Sequence, residues 1–324
     1  MKKGLIIPRL TFLTALALAA APAIAEENRD VRPDGGNGEA AVAAPDPNVV
    51  ASEETPTHIF LTQEEHEKAL ARQPLARRTA NMTYHGGNIM VTATVKSIFW
   101  GTSWSSSPGD KVTGIDSFYT GFSGSNYAKT SDEYTDTIGT GHQVGPTVFN
   151  LGHVIDLSAA SGGGSTSAIL NEACRQFTGP NDGTAYYAVY TDLPRGSAGY
   201  CAWHSSGTCS GVPIQFAFFW KLDGDAGCDP QSTVSGESQG LAALANVSAH
   251  ELSEARTDPA SPGAWYDSRG AENGDKCAWT FNVPSVSFPN GTSWKVQGEW
   301  SNAAYTAGTG YPNSSGQKGC LDGH

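Results

Sequence analysis

No stretch of this 324-residue chain holds the roughly 20 consecutive apolar residues that a membrane-spanning helix needs. The apolar run at residues 10–23 falls short and no later segment is long enough, so no membrane span is expected. Charge is sparse at 16%, and positive charge is the minority: 20 Lys and Arg against 32 Asp and Glu, a net −12. A surface of that sign repels phosphate backbones and anionic lipid, which argues against nucleic-acid and membrane-surface partners. Aromatic residues are missing between Arg32 and Thr57, a Pro, Gly, Ala and acid-rich segment that cannot bury enough surface to fold alone. There is no internal repeat.

What is present begins with an export signal. Lys2, Lys3 and Arg9 precede the apolar run, and Ala23-Ile24-Ala25 forms a small-residue cleavage site before Glu26-Glu27, so residues 1–25 are expected to be a removable signal peptide. Its loss would take three basic and no acidic residues and move the charge from −12 to −15. The expected location is secreted or extracellular, with periplasm or cell wall as variants. Six cysteines in such a chain read as disulfides rather than catalytic thiols. The spacing of Cys201 and Cys209 suits a local staple, with Cys228, Cys277 and Cys320 tying the distal half together. Residues 26–80 read as an acidic linker with a short helix at 63–78, Glu64, Glu65 and Glu67 at its start and Arg72, Arg77 and Arg78 at its end, as the helix dipole favours. A solvated linker helix is preferred over a propeptide or tether.

Residues 81–324 read as one domain of mixed α/β (α+β) class. Alternation and β-branched content predict strands at 89–100, 148–157, 185–191 and 213–222. Helices are predicted at 113–122, 165–177 and 237–256, the last stopping near Asp258 because Pro259 disfavours helical geometry before it. Strands interleaved with helices imply a mixed sheet flanked by helices, in a zincin-like arrangement with the last helix packed beneath the sheet. Leu241, Leu244, Ala245, Val247, Ala249 and Leu252 would face the sheet, leaving His250 and Glu254 on an adjoining face that opens to a cleft. If that helix is buried instead, a cation or a donor such as Arg256 must lie beside its carboxylates.

That helix carries the candidate chemistry. His250 and Glu254 are four residues apart, hence stacked on one face, and can reach one Zn²⁺ at about 2.0–2.2 Å. Glu251, one residue on from His250, is placed to act as general base on a metal-bound water, as in H-E-x-x-H zinc peptidases, with Glu254 replacing the second His. The third ligand is open among Asp258, Glu272 and Asp275. Against this stands a plainer alternative, a core histidine beside two solvated glutamates. Asp223, Asp225 and Asp229 lack the spacing and closing Glu of an EF-hand and read as a turn. His85 and His204 offer further ligands or acids, although a bond to a backbone carbonyl at a strand end is the preferred reading. Asn81, Asn246, Asn290 and Asn313 begin N-x-Ser/Thr patterns.

Several ordered motifs, taken together, resemble the EXORDIUM (phosphate-induced protein) family of plant cell-wall proteins and their microbial relatives. They are Met82-Thr83-Tyr84-His85-Gly86-Gly87, Ile98-Phe99-Trp100-Gly101, the strand at 185–191 leading to Cys201-Ala202-Trp203-His204, Cys228-Asp229-Pro230, Ala249-His250-Glu251-Leu252-Ser253-Glu254, Thr257-Asp258-Pro259, Ala264-Trp265-Tyr266, and Glu272, Asp275 and Cys277. The resemblance implies an extracellular or cell-wall setting and a role in growth and nutrient responses, without supplying a reaction. Two functions follow as expectations. One is a zincin-like Zn²⁺ hydrolase acting on an extracellular peptide or a matrix or cell-wall bond. The other is a non-catalytic cell-wall or carbohydrate-associated protein with a structural acidic cluster, in which Trp104, Trp203, Trp265 and Trp294 could line a sugar-stacking face.

Overall fold

The computed structural model describes residues 48–72, 81–231, 233–234 and 236–324. The expected signal peptide lies outside them, as do residues 26–47 and 73–80 of the expected linker, including Arg77 and Arg78. In chain order the main elements are β1 (Val49–Ala51), β2 (His58–Leu61), α1 (Gln63–Arg72), β3 (Thr83–Tyr84), β4 (Ala93–Trp100), α2 (Lys111–Phe122), β5 (Val148–Asp156), α3 (Thr166–Arg175), β6 (Ala185–Pro194), β7 (Tyr200–Cys209), β8 (Val212–Lys221) and α4 (Gln239–Thr257). A loop-rich C-terminal region follows, with short strands β9 (Trp265–Tyr266) to β14 (Lys318–Leu321) and the helix α5 (Asn302–Ala307).

Seven strands make the central sheet, in the order β1-β7-β8-β6-β4-β5, with β2 sharing the β7 edge with β1. The β4–β5, β4–β6 and β6–β8 pairs are parallel, whereas β7 runs antiparallel to β8, β1 and β2. Parallel strands covered on both faces read as nearly continuous apolar runs, and β6 (AYYAVYT at its start) is buried through its first seven residues. The two faces are distinguished by strand alternation. Tyr190 bonds Tyr119 of α2 and Ser248 of α4, while Tyr187, three residues earlier, bonds Gly179 just beyond α3. Helices α2 and α4 therefore cover one face and α3 the other. This is the expected mixed sheet flanked by helices.

Three expectations are corrected. The sheet extends upstream of residue 81: residues 49–61, placed in the linker, add two strands to it, and the expected helix is present over its described part, Gln63–Arg72. A segment without aromatic residues cannot fold alone, yet it can pair with an existing edge. Second, Cys201 and Cys209 do not bridge. Both lie on β7, and eight residues of strand separate them by about 26 Å, far beyond the Cα–Cα spacing of any disulfide. The bridges are Cys174–Cys209, Cys201–Cys228 and Cys277–Cys320. Third, α4 has no open polar edge. Every residue from Gly240 to Thr257 is buried, because the C-terminal region covers the side turned away from the sheet; Gln297 N–H, for example, donates to Asn246 Oδ1 at 2.8 Å. The glycosylation pattern at Asn246 is thereby sealed inside the fold.

Non-reducing peptide mapping checks the covalent frame. It should recover the three bridges above and no Cys201–Cys209 link; recovery of that local staple would contradict the placement of β7.

Candidate metal centre

The buried face of α4 meets β7 and β2 on one side and a loop ending in a short 3₁₀ turn, Asp275–Cys277, on the other. In the antiparallel register of β2 and β7, His58 lies directly opposite His204, their ring centroids 4.7 Å apart. Alternation puts Phe60 on the same side as His58, and it stacks on His250 at 4.1 Å. His250 and Glu254 project together from α4 one turn apart, as their spacing requires. Gly274 lets the loop backbone close on them. A Cβ there would sit 2.6 Å from His250 Nδ1 and 2.9 Å from Glu254 Oε1, so any larger residue pushes the loop off the cluster.

The candidate residues do converge. His250 Nε2 is 3.1 Å from Glu254 Oε2 and 3.9 Å from Asp275 Oδ1. His204 Nε2 is 3.5 Å from Glu254 Oε2 and 3.2 Å from Glu272 Oε2, and His58 Nδ1 is 2.7 Å from Glu272 Oε2. Three groups have ligand atoms mutually within 4.8 Å: His58, His204 and Glu272; His204, Glu251 and Glu254; and His250, Glu254 and Asp275. Donors about 2.1 Å from a tetrahedral cation stand about 3.4 Å apart, which is the spacing of most of these contacts. Glu272 Oε1 and both oxygens of Glu251 are buried without a hydrogen-bond partner, and His250 Nε2 meets Glu254 Oε2 as an ion-pair contact. Buried polar atoms are nearly always paired, so these carboxylate oxygens could take a group that satisfies them. Mixed imidazole and carboxylate donors suit a divalent cation.

Electrostatics runs the same way. Burial, reinforced by the charges of Glu254, Asp275 and Glu272, pushes the Glu251 carboxyl well above its usual range despite the pull of His204. Burial and the charges of Glu254 and Glu272 raise Asp275 likewise. Burial also works against Glu254, but His250 and His204 outweigh it and hold that carboxyl below the usual range. His204, although buried, is held well above the usual imidazole range by Glu272 and Glu254. Without a cation, the cluster balances its charge by keeping protons on acids and imidazoles together. The Gln297 amide nitrogen lies 2.9 Å from Gly274 O and 3.0 Å from His250 Nδ1, and its oxygen accepts from Trp279 N–H, so Nδ1 is an acceptor and the ring proton sits on Nε2. A cation at Nε2 would need the ring proton to move to Nδ1 and the Gln297 amide to turn its oxygen towards it, because a neutral histidine ligates through its unprotonated nitrogen.

Other candidates separate cleanly. Asp258 caps the end of α4, accepts from Ala264 N–H at 2.5 Å, and belongs to none of the three groups. With His58 and His204 it lines a cavity of about 10 Å³, room for one water. His85 is outside the cluster, stacked on Tyr266 with Nε2 3.2 Å from the Tyr266 carbonyl, the plainer of its two readings. Arg256 does not serve the carboxylates. Its guanidinium donates to Ala128 O and Gly145 O. Asp223 and Asp225 hold Lys111 and Arg195, as turn residues can. The expected sugar-stacking face is not formed, because Trp104, Trp203 and Trp294 are core residues at 5% exposure or less. His58 was missed altogether. Its signal was the apolar tetrapeptide HIFL, too short to read as a strand without its partner β7. Comparison with protein-family models, with curated proteins and with solved structures returns no match to this chain.

Burial, then the charge of Glu272, pushes Asp258 up to about 7. A carboxyl raised on folding binds its proton more tightly in the folded state. Its stabilising contribution is complete below the unfolded value near 3.8 and is lost as pH rises towards about 7. Asp258→Asn mimics the protonated acid and can still accept from Ala264 N–H. In chelator-treated protein, thermal unfolding of Asp258→Asn should therefore decline less between pH 4 and 7 than wild type, leaving it a few kcal/mol more stable at pH 7. Parallel wild-type and variant curves would refute the assignment.

Proposed function

We propose that this chain is an exported protein whose buried His, Glu and Asp cluster binds a divalent cation, Zn²⁺ being the best match to the donors, and that the cation's role is structural. The observation that carries the proposal is the sealed position of the donors. His250, Glu251, Glu254 and Glu272 are at most 1% exposed, both oxygens of Glu251 are without a partner, and the neighbouring cavity admits a single water. In this reading His250, Glu254 and Asp275, with His204 and Glu272 beside them, hold the ion. The ion replaces the protons that otherwise neutralise the acids, and it locks α4 to β7 and to the 272–275 loop. Three disulfides with no free cysteine among the described residues support an oxidising compartment. The resemblance to the EXORDIUM family supports a cell-wall or extracellular setting.

Glu251 supports a second reading, a zincin-like metal-dependent hydrolase cleaving an extracellular peptide or matrix bond. Its carboxylate has no partner, sits next to His250 in sequence, and shares a group with Glu254 and His204. Bound Zn²⁺ would lower the pKa of a water to about 7, and Glu251 would then hold the proton that water gives up. Substrate access requires the wall formed by His58, Asp258 and residues 259–261 to move.

Elemental analysis of protein purified without chelators tests the main proposal. Stoichiometric zinc is expected, and its removal should lower thermal stability by about 3 kcal/mol or more where free metal exceeds its dissociation constant a hundredfold. No bound transition metal, or removal without a stability change, refutes it. Glu251→Gln divides the readings: unchanged metal with abolished peptidase activity supports the hydrolase, while absence of any such activity in the metal-loaded wild type leaves the structural role.

A further inference from the structure

The six principal donors do not close on a single point. Of the three converging groups, the two outer ones share no residue: His58, His204 and Glu272 on the β7 side, and His250, Glu254 and Asp275 on the loop side. The third group, His204, Glu251 and Glu254, takes one member from each and adds Glu251. Within the outer groups the donor separations are 2.7 and 3.2 Å on one side and 3.1 and 3.9 Å on the other. These four fit inside the span of about 4.2 Å that two donors on opposite sides of one cation can reach, and the remaining pair in each triad lies within 4.8 Å. From these separate triads we infer that the centre holds two divalent cations rather than one, with Glu251 offering one oxygen to each.

Charge and chemistry support the count. Glu251, Glu254, Glu272 and Asp275 carry four negative charges when ionised. One divalent cation neutralises two of them and leaves the other two to be balanced by protons retained on acids or imidazoles. Two cations neutralise all four with every imidazole neutral, the form in which histidine ligates metal. Glu251 is wholly buried, and neither of its oxygens has a partner. A carboxylate with both oxygens free between two triads is the group a paired-cation centre uses as its bridge. The inference rests on the reading of this cluster as a cation site and sharpens its stoichiometry.

The two rim ligands allow separate tests, because His58 and Asp275 have side chains 31% and 34% exposed and their replacement should not unfold the protein. Disulfide-intact protein is stripped of metal, titrated with Zn²⁺ and weighed by native mass spectrometry, with Co²⁺ absorption as a second readout. Wild type should take up two ions per chain. His58→Ala and Asp275→Asn should each take up one, and the double variant none at the same free zinc; far-UV circular dichroism confirms folding. Should His58→Ala misfold, His58→Gln, which keeps a polar contact to Glu272, replaces it. A single ion in wild type, lost in Asp275→Asn and kept in His58→Ala, overturns the two-cation inference and leaves the proposed function standing. Two ions that both survive either substitution, or both leave with one substitution, also overturn it. No ion at all overturns the proposed function and the inference together.

Discussion

The structure is organised around the burial of two carboxylates, Glu251 and Glu254, in the middle of a helix that has no solvent-facing side. An isolated carboxylate in such a place costs several kcal/mol or gives up its charge by taking a proton. Everything packed against that part of α4 responds to this constraint. The β2 and β7 strands bring His58 and His204 as well as Phe60 to the contact, the 272–275 loop comes within backbone reach, and Asp275 N–H donates to Glu254 Oε1 at 2.8 Å. Glu254 and Glu272 together hold the three imidazoles in the same small volume.

The covalent frame holds the segments that answer this constraint. Cys201–Cys228 and Cys174–Cys209 anchor the two ends of β7, which carries His204 between them. Cys277–Cys320 anchors the 3₁₀ turn that begins at Asp275. His204 and Asp275 therefore sit on or beside cross-linked backbone. Such links reduce the freedom of the unfolded chain and also hold these donors in place. Pre-positioned donors are what a site of defined geometry requires.

The long strands and α4 were legible because their signals are local. β6 and β8 are runs of aromatic and β-branched residues, and the H-E-x-x-E spacing puts His250 and Glu254 on one face of any helix. What was not legible depended on contacts distant in sequence. β7 reads CAWHSSGTC from its second residue, with serines and glycine where a strand usually shows branched side chains. It is small because it is crowded: a Cβ on Gly207 would meet Leu170 of α3 at 2.5 Å. With β7 unseen, its partner β2 could not be seen either, and His58 went with it. The amphipathic picture of α4 failed for a related reason. Gly240, Ala242, Ala243, Ala245, Ser248, Ala249, Ser253 and Ala255 are small on every side, the pattern of a helix enclosed all round rather than one lying on a surface.

The position of the acids along α4 adds one more requirement. They stand in the last two turns of a 19-residue helix, where the backbone dipole places about half a negative charge. Carboxylates are disfavoured there, and the nearest cation on the helix itself, Arg256, is directed to the carbonyls of Ala128 and Gly145. On the helix itself His250 alone faces Glu254, and the rest of the compensating charge must come from outside the helix. Protonated histidines on β2 and β7 supply part of it, but each such proton occupies a ring nitrogen that would otherwise bind metal. In the proposed function, divalent ions would supply that charge with the rings neutral and would satisfy the carboxylate oxygens that protons on histidine leave unpaired. The buried acids at the end of α4 thus stand among imidazoles able to balance them by holding protons or by holding a cation.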